Sequence, residues 1–220
     1  MRKLLITIAT DAIRDDAEPF LANQRSYCAR NNYEYLCATV PVIESLHPSF
    51  SKVPLSRIAL DDGFDVVIFA DSDVAFMDQG VDLANLLIGT DFWFGAYWQQ
   101  NFDRFKYLCC GLFVVKNCKY ASEFFWRWTD CCLNGGPGGT PKIDHHPWEQ
   151  WSASALFQEI GYSGIRCCSA AEIGSFSKEV WADDDIGWKP GYPTVHFAGQ
   201  SKTMVEKAEI FRKHYAHLVH

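Results

Sequence analysis

The sequence predicts an α/β fold: a mostly parallel central sheet with helices on both faces, in a single domain. Three observations carry that prediction. Strand-like apolar runs alternate with helical stretches through the first third of the chain, the pattern of β-α-β units whose parallel strands need helical crossovers. The run VVIFA (66–70) is apolar at every position, as befits a strand driven through a core. With 220 residues, 48% hydrophobic and 21% charged, the chain has the length and the ordinary composition to build one full α/β core.

Each element follows in order. Residues 3–9 (KLLITIA) read as the first strand. Arg2 and Lys3 before an apolar stretch invite comparison with a signal peptide, but the stretch is short and Asp11, Arg14, Asp15 and Asp16 follow at once. A helix is predicted over 16–31 and a second strand over 34–39. PVIESLHPSF (41–50) reads as loop because of Pro41 and Pro48. Residues 52–62 read as a helix with Leu55, Ile58 and Ala59 on one face. The 66–70 strand comes next, then a short helix at 82–88 and strands at 92–97 (FWFGAY) and 111–116 (GLFVVK). A strong helix at 119–133 ends in NGGPGGTP (134–141), too rich in breakers to be anything but loop. Helix returns at 148–160 and strand at 165–168. Residues 169–193 read as irregular, VHFA (195–198) as a short strand, and 203–219 as a terminal amphipathic helix.

Charge and cysteine content narrow the function. The formal net charge is −7 and no Lys/Arg cluster occurs, which argues against nucleic acid or an anionic membrane surface as partner. No stretch reaches the length of a transmembrane helix. An anionic ligand would need something other than net charge to neutralise it, and a bound metal is the obvious candidate. Nine cysteines, six of them in the adjacent pairs Cys109-Cys110, Cys131-Cys132 and Cys167-Cys168, form no CxxC pair that would nucleate zinc. Most of them read as small core residues in a reducing compartment.

Asp71 and Asp73 end the buried 66–70 strand one residue apart. Two carboxylates placed together are poor for stability unless something positive sits between them, and a divalent cation does this well. Hard oxygen ligands suit Mg²⁺ or Mn²⁺, which fill their other positions with water and phosphate oxygens. The competing reading is a pair of solvated turn aspartates. The late stretch VHFAGQSK (195–202) places His196, Gly199 and Lys202 as H-x-x-G-x-x-K. A neutral imidazole can complete a metal shell, a glycine admits close approach of backbone to phosphate, and a lysine neutralises a phosphate oxygen. In open α/β sheets ligands sit beyond the carboxyl ends of the strands, where Thr10-Asp11 and Asp71-Ser72-Asp73 fall.

With D-S-D after a hydrophobic strand and a late H-F-x-G, the chain resembles the GT-A nucleotide-sugar glycosyltransferases. Its motifs look most like the group holding fungal Golgi α-galactosyltransferases and plant xyloglucan xylosyltransferases. SKVPLSRIAL (51–60), GLFVVKNCKYASEFFWRW (111–128) and WEQWSASALF (148–157) agree in order, so the resemblance covers most of the chain from Tyr27 onward. The H-x-x-G-x-x-K spacing is also similar to the glycogenin-like and bacterial lipooligosaccharide galactosyltransferases.

The resemblance implies one GT-A (Rossmann-like) domain, with a nucleotide-binding half at about 1–100 and an acceptor and catalytic half at about 101–220. It implies Mn²⁺ or Mg²⁺ held by Asp71, Asp73 and His196. Ala9, Thr10 and Asp11 would cradle the nucleotide, Lys52 would approach the nucleotide or diphosphate, and Ser72 the ribose or sugar. Gly199 and Lys202 would hold the leaving diphosphate, and Glu149 with Gln150 would lie beneath the donor sugar as the catalytic pair. The expected partners are a nucleotide-sugar donor, UDP-linked first, and a glycan acceptor, with retention at the anomeric carbon. Two positions depart from the pattern. Cys110 precedes Gly111 where relatives carry Asn or Ser, and Glu149 stands where relatives often carry Asp. No Golgi anchor is recognised, so the expected location is the cytoplasm, or the Golgi lumen if the chain is a piece of a longer protein.

Other features weigh less. His145-His146 beside Asp144 could hold a metal but read better as solvated or acceptor-site residues. Asp183-Asp184-Asp185 reads as a solvated loop. The Gly-Gly-Pro-Gly-Gly segment could act as a lid over the donor. Trp93, Trp98, Trp148, Trp151, Trp181 and Trp188 could include a sugar-stacking platform, although several belong to the core. Two rivals remain: a non-catalytic carbohydrate-binding protein, and an aspartyl-phosphate phosphatase with Asp71 as nucleophile. Lys202 and Glu149-Gln150 argue against the first, and the late position of D-S-D-V-A argues against the second.

Overall fold

The computed structural model describes residues 1–102, 105–135, 148–181, 187–199 and 201–220, without the side chains of 98–102, 105–107, 148 and 181. The Asp144-His145-His146 group, the glycine loop beyond Gly135 and the Asp183–Asp185 run lie outside the described residues, as do the side chains of Trp98, Trp148 and Trp181.

Strands β1 (Lys3–Ile8), β2 (Glu34–Ala38), β3 (Val66–Ala70), β5 (Phe94–Phe102), β6 (Phe105–Lys116) and β7 (Ile165–Cys168) form a six-stranded sheet in the order β2-β1-β3-β6-β5-β7. Helix α1 (Arg14–Asn31) crosses from β1 to β2, and α2 (Lys52–Asp61) leads into β3. The β2-β1, β1-β3 and β5-β7 pairings are parallel, while β6 runs antiparallel to both β3 and β5. The sheet is thus mixed α/β and mostly parallel, as the alternation predicts.

Both faces of the sheet are covered, and the period of two decides which residue goes where. Along β1, Leu4, Ile6 and Ile8 join one core cluster while Leu5 joins the other. Along β3, Val67 and Phe69 face the first cluster, and Val66, Ile68 and Ala70 face the second. The first cluster is closed by α2, by α3 (Lys119–Asn134) and by α4 (Trp148–Glu159). Tyr27 and Cys28 of α1, a 3-10 turn at Leu83–Leu86 and Ile173 of α5 (Ala170–Ile173) close the second.

Aromatic rings dominate the first cluster: Phe113, Phe124, Phe125 and Trp128 meet at centroid separations of 5.4 to 6.0 Å. Trp128 also donates its indole N–H to the Glu149 carbonyl at 2.9 Å, which fixes the start of α4. Removing a fully buried tryptophan forfeits its packing and leaves a cavity. Trp128→Ala is therefore expected to cost about 3–5 kcal/mol, read as a lower urea midpoint at unchanged m-value.

A second sheet of three strands has the order β4-β9-β8, from β4 (Val74–Phe76), β8 (Ser175–Phe176) and β9 (Thr194–His196). Strand β9 lies antiparallel to β4 with His196 opposite Val74, and Phe197 donates its N–H to the Asp73 carbonyl at 3.0 Å. The C-terminal segment packs on this sheet. Helix α7 (Met204–Ile210) passes into a π-helical turn at Phe211–Tyr215 and a 3-10 turn at Ala216–Leu218, where the sequence predicts one regular helix over 203–219. Phe211 and Tyr215 both turn inward, onto Phe20, Phe197 and Trp188.

Three further expectations are corrected. The segment 169–193 is not wholly irregular, since it carries α5, β8 and α6 (Lys178–Trp181). The strands expected at 92–97 and 111–116 extend into the long β5–β6 hairpin. Helix α2 buries Lys52, Val53, Ser56, Ala59 and Leu60, leaving Ile58 exposed, so its inner face is not the Leu55–Ile58–Ala59 stripe. The buried lysine turns that helix toward a cluster of carboxylates.

Candidate functional site

The site forms where β3 ends. Asp71 follows Ala70 directly and donates its backbone N–H to the Gly111 carbonyl of β6 at 2.7 Å. The chain then turns, with Val74 N–H on the Asp71 carbonyl at 3.0 Å, and re-enters as β4. Helix α1 clamps this turn. Gln24 Nε2 donates to the carbonyls of Asp71 and Val74, both at 3.0 Å, and Asn23 exchanges two hydrogen bonds with the backbone of Phe76. Buried amides spent on backbone groups hold both aspartates in place.

Pairing of β9 with β4 brings His196 to the same spot. One ligand atom from each of Asp71, Asp73 and His196 falls within a group whose members all lie within 4.8 Å of one another. His196 Nε2 is 3.2 Å from Asp73 Oδ1 and 3.7 Å from Asp71 Oδ2. Two ligands at right angles on an octahedral shell of about 2.1 Å radius stand about 3 Å apart. Two hard oxygens and one imidazole nitrogen therefore fit a divalent cation such as Mg²⁺ or Mn²⁺ in both spacing and chemistry. His196 Nδ1 faces Cys109 Sγ at 3.7 Å, which leaves Nε2 directed at the carboxylates.

Gly111 makes room for this arrangement. A Cβ there would stand 2.1 Å from His196 Cε1 and 2.7 Å from Asp71 Oδ2, so only glycine lets the imidazole and the carboxylate lie against β6.

Two lysines balance the acids. Lys52, only 2% exposed, places Nζ 3.2 Å from Asp71 Oδ1 and 2.7 Å from Glu149 Oε1, and donates to the Cys110 carbonyl at 3.1 Å. Lys207 of α7 places Nζ 2.8 Å from Asp73 Oδ2. Its reach is set by a capping box in which the Thr203 hydroxyl accepts from Glu206 N–H and the Glu206 carboxylate accepts from Thr203 N–H.

The protonation states follow from this packing. Burial works against an ionised Asp73, yet His196 and Lys207 hold its carboxyl well below the usual range. Burial also opposes a charged His196, but Asp73, helped by Cys109, raises the imidazole to about 10. Burial penalises the Lys52 ammonium, and Asp71 with Glu149 outweigh it, so Lys52 stays charged. Glu149 shifts upward because of burial, although Lys52 opposes the shift. The two partners differ because one ammonium is shared between two carboxylates, and Glu149 is the less satisfied of the pair. Among the described residues, its Oε2 is buried without a hydrogen-bond partner.

Gln150 lies beside Glu149 on α4 and accepts the Cys110 N–H at 3.0 Å through Oε1. Cys110 is thus bound on both sides, its N–H to Gln150 and its carbonyl to Lys52. Ser72 is buried in the turn. Ala9 and Thr10 sit at the carboxyl end of β1, the parallel neighbour of β3, where the Thr10 carbonyl accepts the N–H groups of Ile13 and Arg14. Asp11 is exposed just beyond them. Gly199 is exposed and Lys202 half-buried in the loop between β9 and α7. Sequence reasoning missed Lys207, Gln24, Asn23 and the steric part played by Gly111. Asn23 and Gln24 carried a weak signal, because they share a helix face with Phe20 and Tyr27.

No protein-family model matches the chain, and no curated protein matches it in sequence. Solved structures do match in fold. A glycosyltransferase involved in glycosylation of the major capsid of PBCV-1 superposes with a TM-score of 0.72 at 14% identity, covering 96% of this chain and 99% of that one. Glycosyltransferase GlyE of Streptococcus pneumoniae TIGR4 superposes at 0.57 with 12% identity, over 100% of this chain and 62% of the other. The galactosyltransferase LgtC in complex with donor and acceptor sugar analogues gives 0.51 at 14% identity, over 95% and 94%. The fold is therefore the GT-A glycosyltransferase fold.

Proposed function

We propose that the protein transfers a sugar from a nucleotide-sugar, UDP-linked in the first instance, to a hydroxyl of a glycan acceptor, with Mn²⁺ or Mg²⁺ and with retention at the anomeric carbon. One observation carries the reading: Asp71, Asp73 and His196, brought from positions far apart in the chain, converge at the carboxyl end of β3 within a GT-A fold. Within that fold the motifs SKVPLSRIAL, D-S-D, WEQW and HFAG favour the group of fungal α-galactosyltransferases and plant xylosyltransferases.

Asp71, Asp73 and His196 would hold the metal, which when bound supplies positive charge where the diphosphate departs. The chain's own residues supply the rest. Ala9, Thr10 and Asp11 would receive the nucleotide, Ser72 would meet the ribose or sugar, and Gly199 with Lys202 would donate to the leaving diphosphate. Lys52 bridges Asp71 and Glu149 and offsets their charge. Gln150 and Glu149 would be the groups that stabilise an oxocarbenium-like sugar. In this reading residues 1–100 supply most of the nucleotide side and 101–220 most of the acceptor side, and the charged cluster draws on both.

The test is release of nucleoside diphosphate from a panel of nucleotide-sugars in Mn²⁺. Turnover is expected with a UDP-sugar and its loss on adding a chelator. Asp73→Ala is expected to lower turnover at least 100-fold, a range common for removal of one group that stabilises developing charge. It should also abolish the Mn²⁺-dependent rise in melting temperature with UDP. Wild-type turnover in that variant, or metal-independent turnover, would remove the metal from the reading.

A further inference from the structure

The described residues contain a concave feature that the cluster at Asp71 does not use. A cavity of about 500 Å³ has Asp91, Phe92, Trp93, Tyr120, Glu123, Arg127 and Ser163 among its lining residues. It lies at the opposite end of the sheet. Trp93 exchanges backbone hydrogen bonds with Lys116 and Gly164, and Lys116 pairs with Val66, the first residue of β3. Asp71 follows the last residue of the same strand, about 16 Å away at ~3.3 Å per residue. A ligand in this cavity does not touch the metal cluster.

The cavity has a rigid floor and an open aromatic rim. Trp93 is 5% exposed and packs on Phe124 at 5.3 Å, and Phe124 stacks on Phe157 at 4.5 Å. Gly164 lets the indole lie flat: its φ is +71°, and a Cβ there would stand 2.3 Å from Trp93 Cδ1. Above the floor, the rings of Tyr120 and Phe92 are 69% and 38% exposed. Arg166 lies over the Phe92 ring at 6.0 Å and steadies it. An apolar ring placed at a concave mouth, rather than in the core, is surface kept for contact.

Polar groups decide what that contact is with. Arg127 Nη2 donates to both oxygens of Glu159 at 2.7 Å, so its charge is matched. Asp91 and Glu123 then leave the lining acidic. That excludes phosphates, nucleotides and other anions, and so separates this cavity from the donor's chemistry. Carboxylate acceptors, a guanidinium and a serine hydroxyl around aromatic faces match a neutral polyol, whose hydroxyls both donate and accept and whose C–H faces lie on rings. The volume falls within the range of small-ligand sites, about 300–1,000 Å³.

We infer that this cavity is a carbohydrate-binding site separate from the metal cluster, taking a neutral oligosaccharide of two or three sugars through Tyr120, Phe92, Glu123 and Arg127. The inference does not depend on transferase activity, because it rests on a different end of the molecule.

Saturation-transfer NMR with maltotriose, cellotriose and chitotriose, in chelator and without nucleotide, tests it. At least one should bind, and Tyr120→Ala and Glu123→Ala should each weaken it about tenfold. Both side chains lie at the rim, and both variants should keep the wild-type melting temperature and the wild-type response to Mn²⁺ and UDP. Binding that both variants leave unchanged would overturn the inference, as would no binding by any of the three at 10 mM. Tetramethylammonium binding in place of the sugars would also overturn it, since the acidic aromatic lining would then be a cation site. If donor turnover fails while a trisaccharide binds in a Tyr120-dependent way, the transferase reading falls and this one stands.

Discussion

Lys52→Met is expected to destabilise the protein by about 3–5 kcal/mol, the cost of removing one partner from a buried ion pair. Lys52 is 2% exposed and reaches Asp71 and Glu149 at 3.2 and 2.7 Å. Methionine matches the length of the stem but leaves both carboxylates with no cation between them. Glu149 suffers most, because among the described residues Oε2 already lacks a hydrogen-bond partner and Oε1 would lose the Lys52 ammonium. Adding Glu149→Gln to Lys52→Met should recover at least about 1 kcal/mol, since the second change removes the charge that the first stranded. Urea denaturation of the two single variants and the double variant checks this. A loss under 1 kcal/mol for Lys52→Met would mean that the lysine is not what keeps the acids together.

Gly111→Ala is expected to cost about 1–3 kcal/mol by overpacking and to abolish the Mn²⁺-dependent rise in melting temperature. The added carbon would stand 2.1 Å from His196 Cε1 and 2.9 Å from Nδ1, so the imidazole must swing away from Asp73. Gly95→Ala is the control. Its Cβ would meet nothing nearer than Leu87 Cδ2 at 3.4 Å, so stability and the metal response should stay close to wild type. Wild-type metal response in Gly111→Ala would show that the ring does not lie where β6 holds it.

Much of the fold could be read from the sequence because its signals are local. Strands β1 and β3 are apolar runs, α3 has strong periodicity, and the turns carry proline or glycine. The face of α2 could not be read that way, because periodicity counts Ile58 as inward. The structure exposes Ile58 and buries Lys52, since three polar partners take the lysine in. Strand β4 is three residues long and sits between two turns, too short for any pattern, yet it is the strand that sets His196 beside Asp73.

Within the site, Asp71, Asp73 and His196 stood out because their types and spacing suggest one chemistry. Lys207 did not, because a lysine on an amphipathic helix reads as solvated until the helix is known to dock on Asp73. The double use of Cys110, through its N–H and carbonyl, involves only backbone and leaves no trace in residue type.

The six-stranded sheet closes with β7 at Cys168, whereas the partner that completes the acidic cluster arrives with β9. During vectorial synthesis every strand of that sheet is therefore available before β9 and α7 emerge, because Lys207 follows Cys168 by 39 residues (207 − 168), roughly 2 to 8 s at ~5–20 residues per second. Through that interval the two aspartates have neither His196 nor Lys207 beside them, so the charge balance of the cluster is completed only by what arrives after the main sheet.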